Sequence, residues 1–135
     1  MNASTRHLLE AALAGEALAS LRYRLFAEQA DEEGYDEIAA EFDRIGKEER
    51  RAHVREIAAQ LGLTGPTREN LATAIRSEVA EHRRLYPHFA AEARQAGDLD
   101  AAMLFQELGA DEQTHADILR GLFDETFERA PIAVG

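Results

Sequence analysis

Apolar residues recur along this chain at intervals of three and four, the spacing that places side chains on one face of an α-helix. From about Thr5 to Asp31 the stripe reads Leu9, Ala12, Leu13, Ala19, Tyr23, Phe26, Ala27 and Ala30, with Ser4 and Thr5 as N-caps. Gly34, in Glu33-Gly34-Tyr35, predicts the stop, because glycine takes the left-handed conformation that ends helices. A second stripe, Ile38, Phe42, Ile45 and Ile57, predicts a helix over about 35–61. The Gly-, Pro- and Thr-rich stretch from Leu61 to Thr67 is a loop. A third helix over about 68–96 carries Leu71, Ala74, Ile75, Leu85 and Phe89, and Pro87 inside it predicts a local bend. Gly97-Asp98 repeats the glycine stop, with Asp98 as the next N-cap. The fourth helix, about 98–128, carries Leu104, Phe105, Leu108, Leu119, Leu122 and Phe123, and residues 130–135 form a loose tail.

Acidic residues break these stripes at matching depths. Glu16 lies within the first, Glu49 in the second, Glu78 and Glu81 in the third, and Glu112 in the fourth. Shifting the first half by 62 or 63 positions lays Glu16 on Glu78, Gly34 on Gly97, Phe42 on Phe105 and Glu49 on Glu112. Two copies of a helical hairpin, each with one inward glutamate per helix, predict an all-α, pseudo-symmetric four-helix bundle occupying residues 1–135 as one domain. An unpaired buried carboxylate is strongly destabilising, and a shared cation removes that cost. Glu112-Gln113-Thr114-His115 sharpens this expectation. A carboxylate and an imidazole three residues apart share a helix face and can reach one metal ion.

Composition narrows the function classes. The 135-residue chain is long enough for one domain with a sizeable core. It has no cysteine, which excludes disulfides, thiolate metal sites and a catalytic cysteine. A net charge of -11 argues against nucleic acid as a partner and fits both solubility and attraction of cations. No apolar run approaches the roughly 18 residues of a membrane span, and no signal peptide opens the chain, so a soluble cytoplasmic protein is expected.

These residues resemble the rubrerythrin family of the ferritin-like superfamily over about residues 6–125. The resemblance rests on Gly15-Glu16 followed by Tyr23, Glu33-Gly34-Tyr35, Phe42 seven before Glu49, and Asn70-Leu71. It extends to Glu78-x-x-Glu81, Tyr86-Pro87, and Phe105 seven before Glu112-x-x-His115. It implies a bundle holding two iron ions that reduces hydrogen peroxide to water. Implied iron-binding residues are Glu16, Glu49, Glu78, Glu81, Glu112 and His115, with Tyr23 as a hydrogen-bond donor beside the metals. Manganese or zinc could take the place of iron.

Two departures qualify what the resemblance implies. The family carries Glu-x-x-His on the second helix, whereas this chain reads Glu49-Arg50-Arg51-Ala52, and Ala52 stands where the repeat has His115. His53 follows one residue later, so one iron is held by carboxylates alone or by a re-aimed His53; carboxylates with His53 nearby are favoured here. Glu56 and His82 are spare groups on the same faces, while His7, His88 and Tyr86 are read as surface or packing residues. The second departure is the absent four-cysteine rubredoxin module, so electrons are expected from a separate donor, such as a rubredoxin-like protein. The competing functions are oxidation and handling of ferrous iron with oxygen or peroxide, and a non-catalytic helical dimer whose metal site has decayed.

Linker length adds an expectation about assembly. Helices two and three must run roughly parallel in such a bundle, about 27 residues span roughly 40 Å, and a linker of six to eight residues reaches at most about 28 Å. A homodimer with swapped hairpins satisfies that geometry.

Overall fold

The computed structural model describes residues 1–128 and contains helices but no strand among them. The tail read at 130–135 lies outside the described residues. Six α-helical segments follow in order: α1 (Ala3–Glu32), α2 (Asp36–Glu49), α3 (Arg55–Leu61), α4 (Thr67–Ala80), α5 (Tyr86–Ala96) and α6 (Leu99–Phe123). Three wider π-turns join or extend them, at Arg50–Val54 between α2 and α3, at Glu81–Leu85 between α4 and α5, and at Asp124–Glu128 after α6. The expected second and third helices are therefore each continuous in path but interrupted by a π-turn. Such a turn accommodates one extra residue within a helix.

The chain divides into two compact units, Met1–Thr64 and Gly65–Gly135. Each is a helical hairpin. In the first, α1 packs along α2, the Arg50–Val54 turn and α3. In the second, α6 packs along α4, the Glu81–Leu85 turn and α5. The hairpin bends fall at the expected glycines, Gly34 with φ 80° and Gly97 with φ 87°, where a side chain would be strained. Two caps differ from expectation. Asn2, not Ser4 or Thr5, caps α1 by accepting the Thr5 N–H at 2.8 Å, so the helix begins earlier. Asp98 sits at the N-cap of α6, but its side chain makes no capping bond. Pro87 lies in the first turn of α5, just past the widened segment. Its ring would otherwise press on the carbonyl four residues back, and a π-turn there relieves that conflict.

Both hairpins close through small residues. Ala30, Ala39 and Gly46 are buried in the first, and Ala90, Ala102, Gly109 and Ala116 in the second. A Cβ built on Gly46 would stand 3.0 Å from the Tyr23 Cβ, and one on Gly109 would stand 3.4 Å from the Tyr86 Cβ. These glycines let the helix backbones approach beside the two tyrosines. The aromatic packing repeats as well: Tyr23 and Phe26 lie 5.9 and 5.7 Å from Phe42, and Tyr86 and Phe89 lie 6.3 and 5.4 Å from Phe105. At the start of the second unit, Asn70 of α4 closes on Gly65, donating to its carbonyl and accepting its N–H, both at 2.8 Å. That exchange gives a structural reason for asparagine at position 70.

Candidate metal centre

Each hairpin gathers two glutamates and one histidine. In the first, Glu16 comes from the middle of α1, Glu49 from the end of α2, and His53 from the π-turn that follows. In the second, Glu78 comes from α4, and Glu112 and His115 from α6. In each trio, one potential ligand atom per residue lies within 4.8 Å of the others.

The two trios share a geometry. His53 Nδ1 stands 2.5 Å from Glu49 Oε2 and 3.5 Å from Glu16 Oε2. His115 Nδ1 stands 2.8 Å from Glu112 Oε2 and 3.6 Å from Glu78 Oε2. The glutamates are sheltered and the histidines reach outward: Glu112 is 14% exposed against 55% for His115. The acidic neighbours favour the charged imidazole, so Glu49 first, and then Glu16, raise the His53 pKa above its ordinary value. Glu112 does the same for His115.

The second trio holds an unresolved carboxylate. Glu78 Oε2 is buried without a hydrogen-bond partner. The adjacent Glu112 carboxyl, with burial adding to it, pushes Glu78 upward, while Glu78 and then His115 hold Glu112 low. Two carboxylates this close disfavour each other's full ionisation in the metal-free protein. A divalent cation can offset that repulsion and give the orphaned oxygen a partner. Hard carboxylate oxygens with one imidazole also match the ligand preferences of iron. The residues present therefore fit a metal.

His53 occupies a position that Ala52 cannot reach. From Tyr23 to Glu49 the repeat runs at a shift of 63, which pairs Glu49 with Glu112 and, if continued, Ala52 with His115. The π-turn Arg50–Val54 absorbs one additional residue in the first half, and beyond it the shift becomes 62, pairing His53 with His115. The apparent gap at Ala52 is a change of register. The favoured expectation of carboxylates with His53 merely nearby understates this: His53 lies in the trio itself.

Other expected residues separate from the trios. Glu81, at the first position of the second π-turn, is not among the three groups that converge there, yet its charge raises both Glu78 and Tyr86. Tyr23 is half-buried against Phe42 and Gly46. His82 is not a spare group, because its Nδ1 bonds the Gly109 carbonyl at 2.7 Å. Ser20 makes the equivalent bond in the first hairpin, donating to the Gly46 carbonyl at 3.0 Å. Tyr86, expected to pack, lies against Phe89 and Phe105. Burial, then Glu81, Glu112 and Glu78, push its hydroxyl above the ordinary range. The 63-residue shift makes it the counterpart of Tyr23.

The Rubrerythrin family profile matches residues 7–123. The chain belongs to the rubrerythrin family. It is 36% identical over 122 residues to a rubrerythrin of Porphyromonas gingivalis, covering 82% of this chain and 60% of that protein. It is 33% identical over 131 residues to nigerythrin of Nitratidesulfovibrio vulgaris, covering 84% of this chain and 63% of that one. Among solved structures, nigerythrin in a mixed-valent state is 26% identical, with a TM-score of 0.44, covering 97% of this chain and 71% of that one. The chain thus spans about three fifths of the length of these two curated relatives. Family membership and the helical architecture make this an all-α protein of the ferritin-like class. No described helix is long and apolar enough to cross a membrane.

Proposed function

We propose that this rubrerythrin-family protein is a di-iron oxidoreductase that reduces hydrogen peroxide to water with electrons from a separate donor protein. The observation that carries this reading is the pair of Glu–Glu–His trios, one on each hairpin, each with its ligand atoms within 4.8 Å of one another. Glu16, Glu49, His53, Glu78, Glu112 and His115 would hold the two iron ions, with Glu81 as a further carboxylate. When bound, two irons supply one electron each, the two electrons needed to cleave an O–O bond.

The chain's own groups do the rest. Four trio glutamates offset the positive charge of the metals and can shift as that charge changes. A cation held between Glu78 and Glu112 would offset the repulsion that raises Glu78. Reducing peroxide to two waters consumes two protons, and the Tyr86 hydroxyl is a protonated group beside the carboxylates. Tyr23 holds the corresponding position in the first hairpin and would donate a hydrogen bond there.

Stopped-flow mixing of the anaerobically reduced, iron-loaded protein with peroxide, and separately with oxygen, tests the assignment. Oxidation by peroxide should be much the faster; the reverse order would instead favour iron oxidation and handling, and the peroxidase assignment would fail.

A homodimer in the cytoplasm completes the proposal. Leu21, Leu25 and Phe26 on the first hairpin and Leu104 and Leu122 on the second remain about half exposed, leaving apolar surface for a partner to cover. Sedimentation at the mass of a single chain would refute the dimer.

A further inference from the structure

The second hairpin carries a groove that the metal centre does not use. It is about 500 Å³ in volume and runs along α4 and the start of the Glu81–Leu85 turn, beside Arg120 of α6. Ile75 and Val79 are partly buried in it, and Arg76, Arg83, Arg84 and Arg120 are exposed around them. No acidic residue lines it. In a chain with 15 Lys and Arg against 26 Asp and Glu, such a cluster runs against the overall charge.

Cations elsewhere are matched: Arg24 pairs with Glu28, Arg44 with Glu41 and Glu48, and Lys47 with Asp43. In the groove, Arg120 reaches Asp117 only at 3.8 Å, and Arg76 donates to Thr73 Oγ1 at 2.9 Å. Arg83 and Arg84 have no carboxylate partner among the described residues. At a shift of 62, Arg76, Arg83 and Arg120 stand where the first half has Ala14, Leu21 and Ala58. The helical plan common to both halves therefore does not require these charges.

The groove backs onto the second trio. Two residues of α-helix turn through about 200°, so Arg76 lies on the side of α4 away from Glu78. Val79 adjoins Glu78 in sequence, and Arg120 follows His115 by five residues, about 7.5 Å along the axis. A helix with its side chains is about 10–12 Å thick, so a molecule seated in the groove is roughly one helix away from the trio.

We propose that this groove is the docking site of a small acidic protein that delivers electrons to the centre one at a time. The proposal rests on the di-iron peroxidase reading and adds where its donor binds. Reducing one peroxide to two waters takes up two electrons and two protons, so a one-electron donor must arrive and leave twice in each turnover. Brief contact of this kind uses a small interface. Partly buried apolar residues ringed by arginines have the composition of an interface core and its rim. The ring also steers an acidic partner to one place on a chain that otherwise repels it.

That contrast makes salt diagnostic. Two net-negative proteins repel, so salt strengthens an encounter at an unspecified place, whereas docking on the arginines is weakened by it.

The probe is a zinc-substituted rubredoxin with an acidic surface, which binds without transferring electrons. It is titrated into the unaltered, metal-free, full-length protein while the arginine Nε–H signals are followed by NMR. Arg76, Arg83, Arg84 and Arg120 should shift, Arg24 and Arg44 should not, and affinity should fall as salt rises. Absence of these shifts, or affinity that rises with salt, would overturn the docking site. The same shifts on adding inorganic phosphate at equal concentration would make the groove a small-anion site and overturn it too.

Arg83→Glu combined with Arg84→Glu should slow reduction of the oxidised, iron-loaded protein by reduced rubredoxin about tenfold or more at low salt. Single-turnover oxidation by peroxide should be unchanged in that variant. Equal reduction rates would overturn the proposal. If the double variant loses its helical circular dichroism, the titration of the unaltered protein decides. Arginine signals that stay still while peroxide oxidation is intact remove the docking site alone. Failure of peroxide to oxidise the reduced, unaltered protein removes the peroxidase reading and the donor's role with it.

Discussion

Glu78 Oε2 lies buried and without a hydrogen-bond partner, 3.6 Å from the Nδ1 of His115. Its neighbour Glu112 is ionised and acidic, so the metal-free protein carries an electrostatic conflict in the second hairpin. Glu78→Gln removes one charge and supplies an amide donor toward Glu112. The metal-free variant should gain about 1 kcal/mol of stability, the size of a relieved unsatisfied polar group. It should also lose most of the stabilisation that added metal gives the unaltered protein. Thermal unfolding with and without ferrous iron measures both, and a Glu78→Gln variant stabilised by metal as strongly as its parent contradicts the site.

The histidines set a pH dependence with a definite sign. His53 and His115 have folded pKa values raised above the ordinary value of about 6.5. Their pairing with glutamate stabilises the metal-free protein fully below that ordinary value. The contribution disappears as pH rises through the raised folded values. Metal competes with the same protons, so metal affinity should rise across this window as the stability of the metal-free protein falls. Denaturant titrations and metal titrations between pH 5 and about 9 should show opposite slopes, and His53→Ala combined with His115→Ala should flatten both.

Gly46 and Gly109 occupy equivalent places but have unequal room. A Cβ at 46 meets the Tyr23 Cβ at 3.0 Å and the Ser20 carbonyl oxygen at 3.2 Å, whereas at 109 the nearest atom is the Tyr86 Cβ at 3.4 Å. Gly46→Ala should destabilise by about 1–3 kcal/mol through overpacking. Gly109→Ala should be near neutral, because alanine's helix propensity, worth about 1 kcal/mol over glycine, offsets the tighter contact. Equal costs in chemical denaturation would show that close backbone approach is not the reason for glycine at 46.

Tyr86 is held protonated by burial and by the negative charge of Glu81, Glu112 and Glu78. Tyr86→Phe keeps the ring against Phe89 and Phe105 and removes only the hydroxyl. The variant should fold and load metal normally but reduce peroxide about a hundredfold more slowly, the low end of the range for loss of a general acid. Unchanged single-turnover kinetics would confine Tyr86 to packing.

Much of this architecture is legible in the chain because helices leave strong periodic signals. The stripes, the stops at Gly34 and Gly97 and the level of the glutamates all follow from spacing. The π-turns do not, since a single added residue changes no composition and breaks no stripe; it shifts only the phase. That is why Ala52 looked like a lost ligand. His82 was misread for a different reason: spacing places it on an inward face, but only the Gly109 carbonyl, found in the folded hairpin, shows where its ring nitrogen goes. At the amino terminus several polar residues could cap α1, and sequence alone does not choose Asn2 over Ser4.

The π-turns also bear on how such a chain can change over generations. Adding a residue within a helix ordinarily turns a working face away from its neighbour, so helices tolerate substitution far better than insertion. Here each inserted residue is confined to one widened turn, and the side chains beyond it, Ile57 and Leu61 in the first hairpin and Tyr86 and Phe89 in the second, stay in phase with their counterparts. Two halves that share a plan can thereby drift apart in length while keeping the same constellation of side chains.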